Sequence, residues 1–229
     1  MGSIDILPAN YNATLEGWGI RTMAFNRFVP AVSLVMNNRD HRKILVVDGN
    51  IAFTGGINIA DEYINKKERF GYWKDTGIRL EGEAVWSFTC MFLEMWNYIT
   101  HSTEDYLRYR PKELSELPFR TDGFVQPYGD TPLDKENTSE NVYMNIINKA
   151  RRYVYIFTPY LIMDQELLIS LCNAAKCGVD VRIITPGIPD KKMIYLLTQA
   201  DYQRLIENGV KIYQYTPGFL HAKCFVSDD

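Results

Sequence analysis

The chain has 229 residues, with 25 basic and 28 acidic side chains and a formal net charge of −3 at pH 7. This balance excludes a general electrostatic attraction to nucleic acid or to an anionic membrane. Hydrophobic residues make up 46% of the chain, which is ample for a core, but no apolar run approaches the length of a membrane span. The four cysteines show no metal-type spacing, so we predict reduced, buried thiols in a cytosolic compartment and no metal site.

Turn signals and hydrophobic patterning divide the first half of the chain into short elements. The apolar run from Ile44 to Val47 is typical of a buried strand, and the Gly49-Asn50 pair after it predicts a hairpin. In chain order, we predict a strand at 19–25, a strand at 41–48, a strand at 51–53, a helix at 55–63, a strand at 75–80 and a helix at 84–100.

The second half alternates between strand and helix signals. Residues 111–138 contain four prolines and many polar side chains, which indicates a linker, with an edge strand at 123–127. After it we predict a helix at 140–152, a strand at 153–159, a helix at 164–177, a strand at 179–185, a helix at 190–208, a strand at 210–215 and a strand at 221–228. This alternation predicts an α/β sandwich with a largely parallel sheet.

Two of the three histidines stand in the same pattern. His41, Lys43 and Asp48 spell His-x-Lys-x-x-x-x-Asp, and so do His221, Lys223 and Asp228. Given the frequencies of Lys and Asp in this chain, one histidine meets the pattern by chance about 0.3% of the time, so two of three is not accidental. A duplicated pattern indicates a duplicated structural unit.

The residue types in this pattern suit phosphoryl chemistry. Strand alternation places His41 and Lys43 on one face of an extended segment. An imidazole can act as nucleophile or general acid near neutral pH, and an adjacent lysine can hold an anionic oxygen. Two copies would supply one nucleophile, one acid and two cations around one phosphoryl group. Asp48 and Asp228 either orient an imidazole or are structural turn residues, and the sequence leaves both alternatives open.

A glycine pair follows the first motif. Backbone amides at Gly55 and Gly56 could approach a phosphate closely because glycine has no side chain, although a tight turn would also require glycine. Asn58 either donates to a phosphate oxygen or caps local backbone. Tyr160 stands where a parallel sheet places ligands, at the carboxyl end of a predicted strand, but packing alone would also account for it.

These residues resemble a known family. The His-x-Lys-x-x-x-x-Asp motif, followed by Gly-Gly-x-Asn at 55–58, resembles the signature of the phospholipase D superfamily. Further blocks at 70–76, 158–160 and 218–223 resemble bacterial cardiolipin synthases. The chain departs from the usual pattern of those enzymes at Lys74, where they have Arg, and at Gly77, where they often have His.

The resemblance implies a two-lobed α/β fold in which the motif repeats about a pseudo-two-fold axis. It implies an N-terminal lobe at 1–110, a linker at 111–138 and a C-terminal lobe at 139–229. The first lobe would be incomplete at its start and the second at its end; the alternative is a compact variant of the fold.

The resemblance also implies a reaction. His41 would attack the phosphorus of phosphatidylglycerol and form a phosphohistidine, and His221 would act as general acid and base. Lys43, Lys223 and Asn58 would stabilise the phosphoryl charge, without a metal or another cofactor. A second phosphatidylglycerol would then accept the phosphatidyl group to give cardiolipin and glycerol.

The partners implied are the phospholipid and the membrane surface, at the inner leaflet of a bacterial cell membrane, and no nucleic acid. Three alternatives stand beside this hypothesis: a lipid-hydrolysing phospholipase D, a nuclease of the same superfamily, and a non-catalytic fragment of the fold. Phosphatidic acid as product would indicate the first, and tight, salt-sensitive DNA binding would indicate the second.

Overall fold

The computed structural model describes residues 7–8, 10–25, 40–112, 123–130 and 136–228. Contacts between residues divide the chain into two compact units. The first comprises Met1–Ala52 and Leu80–Pro127, and the second comprises Phe53–Arg79 and Tyr128–Asp229. The segment Phe53–Arg79, which the sequence-based lobes assign to the first half, therefore belongs by its contacts to the second unit.

The first half of the chain contains a three-stranded sheet and a long helix. Its elements are α1 (Tyr11–Gly17), β1 (Ile44–Val47), β2 (Ile51–Gly55), a 3-10 helix at Asp61–Ile64, β3 (Gly77–Glu81), α2 (Ala84–Thr100) and a 3-10 helix at Tyr106–Tyr109. The strand order is β1-β2-β3. Val85 and Phe88 of α2 are buried in one cluster with Ala52. The predicted hairpin and the helix at 84–100 are confirmed.

The second half forms a four-stranded sheet with helices between its strands. Its elements are α3 (Thr138–Lys149), β4 (Tyr153–Phe157), α4 (Gln165–Lys176), β5 (Asp180–Pro186), α5 (Lys192–Ala200), α6 (Tyr202–Glu207), β6 (Lys211–Tyr215) and β7 (Cys224–Ser227). The strand order is β6-β5-β4-β7, with β5 parallel to both β4 and β6 and with β7 antiparallel to β4. The predicted α/β fold with a mixed, largely parallel sheet is confirmed.

The core of the second unit explains why its strands and helices could be predicted from the sequence. Strand residues such as Val154 and Ile183 are fully buried, as expected for parallel strands covered on both faces. They pack with Leu168 and Leu171 of α4 and with Leu205 of α6 in one cluster. The Asp164 carboxylate accepts a hydrogen bond from the backbone N–H of Leu167 and so caps α4 at its start.

The prediction of a strand at 19–25 is wrong. These residues form no strand, and an unpredicted helix, α1, precedes them. Ile20 and Met23 are about half exposed. Strand propensity reflects packing on a pleated, half-buried surface, which these side chains lack here.

Two helix predictions also need correction. The glycine pair at the end of β2 opens no helix; only the 3-10 helix at Asp61–Ile64 forms before Tyr72. The helix expected at 190–208 is interrupted at Asp201, which ends α5 and begins α6. Both motif segments enter their strands later than expected, since β1 begins at Ile44 and β7 at Cys224.

Only part of the predicted linker at 111–138 can be compared with the structure, because 113–122 and 131–135 lie outside the described residues. The described segment 123–130 contains no strand, so the edge strand expected at 123–127 is not formed. Among the helices that the structure describes, none is long and apolar enough to cross a membrane.

Candidate active site

The lysines of the two motifs make the same local contact. Lys43 Nζ donates a hydrogen bond to the backbone carbonyl of His41 at 2.7 Å, and Lys223 Nζ donates to the carbonyl of His221. In each copy the histidine stands three residues before the first residue of its strand. The shared pattern thus corresponds to a shared local geometry, which holds an ammonium group beside the backbone of each histidine.

In the second unit, the motif histidine is buried and paired with a carboxylate. The side chain of His221 is 9% exposed and that of Asp75 is 2% exposed, and Nδ1 lies 2.7 Å from Asp75 Oδ2. Because an ionised carboxylate can only accept, the Nδ1 atom carries the shared hydrogen and Nε2 is left for a reacting group. This is the arrangement of a general acid–base histidine held by a carboxylate.

Two chain segments bring this pair together. Residues 71–74 run beside 217–221: the N–H of Tyr72 donates to the Pro217 carbonyl, and the N–H of Lys74 donates to the Phe219 carbonyl. The N–H of His221 donates in turn to the Lys74 carbonyl at 2.7 Å. This backbone pairing fixes Asp75 next to the imidazole although 146 residues separate the two in sequence.

Aromatic side chains surround the imidazole. The ring centroids of Tyr63, Trp73 and Phe219 lie 5.3, 5.7 and 5.9 Å from that of His221. Trp73 is 7% exposed and Phe219 is 1% exposed. Such packing restricts rotation of the imidazole and lowers the local dielectric, which strengthens the interaction of His221 with Asp75.

The glycine pair packs against this carboxylate. A side chain on Gly56 would overlap Asp75 Oδ1, and one on Gly55, whose φ is +148°, would overlap the Thr76 carbonyl. The N–H of Gly56 donates to the Thr76 carbonyl at 3.0 Å. Close backbone packing around Asp75 is therefore sufficient to require both glycines, and a role in phosphate binding stays a prediction.

Asn58, predicted to contact phosphate, lies in the same unit as His221. Its Nδ2 donates a hydrogen bond to the hydroxyl of Tyr63, the residue whose ring stands edge-on to His221. Burial raises the pKa of Tyr63, the hydrogen bond from Asn58 opposes this shift, and negative charge on Asp75 adds to it. Asn58 and Tyr63 thus extend the polar groups around the histidine.

Asp228 makes contacts of a different kind from Asp75. Its carboxylate accepts hydrogen bonds from the backbone N–H groups of Arg151, Arg152 and Tyr153, at 3.1, 2.9 and 3.0 Å. The bond from Tyr153, opposed by burial and aided by the other two, lowers the pKa of Asp228 to about 2. Asp228 therefore ties the end of β7 to the start of β4, which favours the structural alternative for this residue.

In the first unit, the other motif has a more open environment. His41 and Asp48 are exposed, and Asp48 adopts a left-handed φ of 51° in the turn before Asn50. Arg42 donates two side-chain hydrogen bonds to Asp40, at 3.0 and 3.1 Å, which occupy its guanidinium locally. The turn conformation of Asp48 again favours the structural alternative.

Asp75 is the residue that sequence reasoning missed. Its block, Trp73-Lys74-Asp75, carried the family resemblance, but no local spacing linked the carboxylate to a histidine. Within the described ranges, no group of three or more His, Cys, Asp or Glu side chains is arranged to hold a metal ion.

Comparisons with known proteins agree with the motif. The family model described as "Cardiolipin synthase, PLD-like domain" matches residues 143–229. The cardiolipin synthase of a Geobacillus species is 38% identical over 223 residues, which cover 97% of this chain and 44% of that protein. Cardiolipin synthase 2 of Staphylococcus epidermidis is 37% identical over 229 residues, which cover 100% of this chain and 46% of that protein. The chain thus spans about half the length of these relatives.

A solved structure supports the fold independently. The crystal structure of phosphatidylserine synthase from Haemophilus influenzae superposes with a TM-score of 0.52 at 16% identity, covering 82% of this chain and 51% of that chain. At this identity the likeness concerns the fold alone. Residues 143–229 match the PLD-like domain of cardiolipin synthases, and nearly the whole chain is similar to the bacterial cardiolipin synthases of the phospholipase D superfamily.

Proposed function

We propose that this chain carries both catalytic motifs of a phosphatidyltransferase that makes cardiolipin and glycerol from two phosphatidylglycerol molecules. The buried His221–Asp75 pair, at 2.7 Å, is the observation that supports an acid–base role best. The similarity to cardiolipin synthases over nearly the whole chain supports the choice of lipid.

In the first step, a ring nitrogen of His41 attacks the phosphorus and a phosphorus–nitrogen bond forms. The phosphorus–oxygen bond to the headgroup glycerol breaks, and protonated His221 gives its proton to the departing oxygen. Asp75 stabilises the imidazolium form of His221 before this transfer and keeps the ring oriented afterwards.

In the second step, the hydroxyl of another phosphatidylglycerol attacks the phosphohistidine. Neutral His221 takes the hydroxyl proton while the new phosphorus–oxygen bond forms and the phosphorus–nitrogen bond to His41 breaks. Lys43 and Lys223, each hydrogen-bonded to its own motif carbonyl, would supply positive charge for the phosphoryl oxygens. In this mechanism Asn58 donates to the same oxygens, and Gly55 and Gly56 allow the close approach.

We further propose that the chain works at a membrane surface. Helix α5 exposes three large aliphatic side chains, Met193 at 74%, Leu196 at 60% and Leu197 at 55%. Lys191 and Lys192 stand at its start. An aliphatic face beside two lysines complements an anionic bilayer, and phosphatidylglycerol itself is anionic. The more specific proposal, association with the inner leaflet of a bacterial membrane, rests on the similarity to cardiolipin synthases alone.

The test is turnover of labelled phosphatidylglycerol in mixed micelles, with products identified by mass spectrometry. We expect cardiolipin and glycerol from the parent chain and neither from His41→Ala or His221→Ala. His101→Ala is the matched control, because His101 ends α2 outside both motifs, and it should retain activity. Phosphatidic acid in place of cardiolipin would show hydrolysis and overturn the transferase assignment. Equal turnover by the parent and both motif variants would overturn the roles of the histidines.

A further inference from the structure

We propose that Asp190 and Tyr160 form a hydroxyl-binding subsite beside His221, which holds the glycerol headgroup of the phosphodiester; this proposal rests on the proposed function. The two residues follow the carboxyl ends of β4 and β5, since β4 ends at Phe157 and β5 at Pro186. In parallel α/β sheets, this edge is where ligands bind.

The two oxygens of the Asp190 carboxylate differ in their contacts. Oδ2 accepts a hydrogen bond from the hydroxyl of Tyr160 at 2.7 Å. Oδ1 is buried and has no hydrogen-bond partner. A buried carboxylate oxygen without a donor is costly, because water has been removed and nothing replaces it. A hydroxyl group of a ligand would supply the missing donor.

Trp73 has a buried hydrogen-bond donor without a partner. Its Nε1–H is buried and also lacks an acceptor. In the described ranges three buried side-chain nitrogen or oxygen atoms lack partners, and two of them belong to Trp73 and Asp190. A ligand hydroxyl can donate a hydrogen bond to one of these groups, and the same hydroxyl or a second one can accept a hydrogen bond from the other. Glycerol carries hydroxyls that can both donate to the Asp190 oxygen and accept from the Trp73 N–H.

Tyr63 connects these groups to the candidate active site. Its ring centroid lies 4.6 Å from that of Trp73 and 5.3 Å from that of His221. Burial raises the pKa of Tyr63, and negative charge on Asp190 as well as on Asp75 contributes to the increase. The chain next to Asp190 also lies close by: a side chain on Gly71, in the segment that pairs with 217–221, would contact Ile188, two residues before Asp190.

The hydroxyl of Tyr160 acts as a hydrogen-bond donor. Burial and its hydrogen bond to Asp190 raise the pKa of Tyr160 well above its ordinary value, so the hydroxyl stays protonated at any physiological pH. Its O–H thus remains directed at Oδ2 and leaves Oδ1 for another donor. The Tyr160 oxygen can itself accept from a second ligand hydroxyl.

The local charges favour a neutral polyol over a cationic headgroup. The positive charge of Lys191, whose Nζ lies 5.6 Å from the centroid of the Tyr160 ring, offsets the negative charge of Asp190, so the charges of this subsite do not require a cationic headgroup. The unpaired Trp73 Nε1–H is a donor and needs an acceptor, which an ammonium group cannot provide. Glycerol satisfies both conditions.

The experiment is a titration of the ¹⁵N-labelled chain followed by the indole N–H signals of its tryptophans. The Trp73 signal is identified by its loss in Trp73→Phe. We expect propyl phosphoglycerol, which carries a single diol, to shift the Trp73 signal, and expect dipropyl phosphate (the propyl ligand), which has no diol, and propyl phosphoethanolamine to bind about tenfold more weakly. Equal affinity for all three, or no shift with propyl phosphoglycerol, would overturn the subsite.

Variants separate this subsite from general effects. Asp190→Asn and Tyr160→Phe should each lose the preference for the diol over the propyl ligand, while Asp201→Asn, at the junction of α5 and α6, should keep it. If Asp190→Asn fails to fold by circular dichroism, Tyr160→Phe alone decides, because it removes one hydroxyl only. An unchanged preference in a folded variant contradicts the proposal.

Because this readout is binding, it is independent of turnover. A diol preference without cardiolipin formation would contradict the proposed function and support the subsite. Cardiolipin formation with equal binding of all three ligands would support the function and contradict the subsite.

Discussion

The two copies of the motif have the same residue pattern but different surroundings. His221 is buried against Asp75, and Asp228 is held by three backbone N–H groups. His41 is exposed, and Asp48 lines an open cavity of about 750 Å³ in the first unit. What the copies share is local, namely the lysine bonded to the histidine carbonyl and the entry into a strand.

The comparison indicates where the chemistry of each histidine is decided. The motif positions the imidazole at the entry to a strand, but the groups that tune it come from other parts of the chain. In the second unit these groups are Asp75, Tyr63 and Trp73, which all lie in Phe53–Arg79. In our mechanism the difference suits the roles, because an acid–base histidine needs a fixed tautomer and a nucleophile needs access.

The largest effect should come from removing the carboxylate that distinguishes His221. We expect Asp75→Asn to lower kcat for phosphatidylglycerol turnover by about 10²–10⁴-fold, because the amide no longer stabilises the imidazolium and permits the wrong tautomer. Asp201→Asn is the matched control and should change kcat less than twofold, which is about the effect of a surface substitution.

A thermal melt accompanies these rates, so that a loss of fold is not mistaken for a loss of catalysis. If Asp75→Asn and Asp201→Asn have the same kcat, Asp75 does not act through His221 in the reaction, and its hydrogen bond is only structural.

A smaller effect should follow from displacing Asp75 without changing its charge. The methyl group introduced by Gly56→Ala would overlap Asp75 Oδ1, so the carboxylate must shift from its position beside His221. We expect kcat to fall about 10- to 100-fold, as for other small misplacements of a reacting group. Gly17→Ala, at the end of α1, has open space around the new methyl group and should leave kcat unchanged. Full activity of Gly56→Ala would mean that the carboxylate position is not critical.

Much of the fold was predictable from local pattern. The second half alternates apolar strands with helices ended by glycine, and its predicted elements correspond to β4 to β7 and their helices. The helix at 84–100 was predictable for the same reason. In contrast, the 19–25 segment has strand-like composition, but its side chains stay half exposed and no strand forms. Composition indicates that a segment can form a strand, and tertiary packing determines whether the strand forms.

The candidate site divides in the same way. His41, Lys43, His221 and Lys223 were predictable because each motif is a short pattern with a chemical meaning. Asp75 was not, because its pairing with His221 depends on backbone bonds between 71–74 and 217–221. The glycine pair was predicted to start a helix. Glycine is required there because a side chain would overlap Asp75 and Thr76, and no residue next to the pair in sequence indicates that packing.

The smallest effect on activity, and a measurable one on stability, should separate the two motif aspartates. Hydrogen bonds from the backbone lower the pKa of Asp228 to about 2 from an ordinary 3.8, so the folded state favours the ionised form. This stabilisation is complete above about pH 4 and is lost as the pH falls from 4 through 2. Asp228→Asn should therefore melt several degrees lower at pH 7 and lose part of the pH dependence of unfolding between pH 4 and 2. Asp48→Asn, at an exposed turn, should alter neither property measurably. Equal melting temperatures for the two variants would mean that the three backbone hydrogen bonds to Asp228 add no stability beyond that of the exposed turn at Asp48.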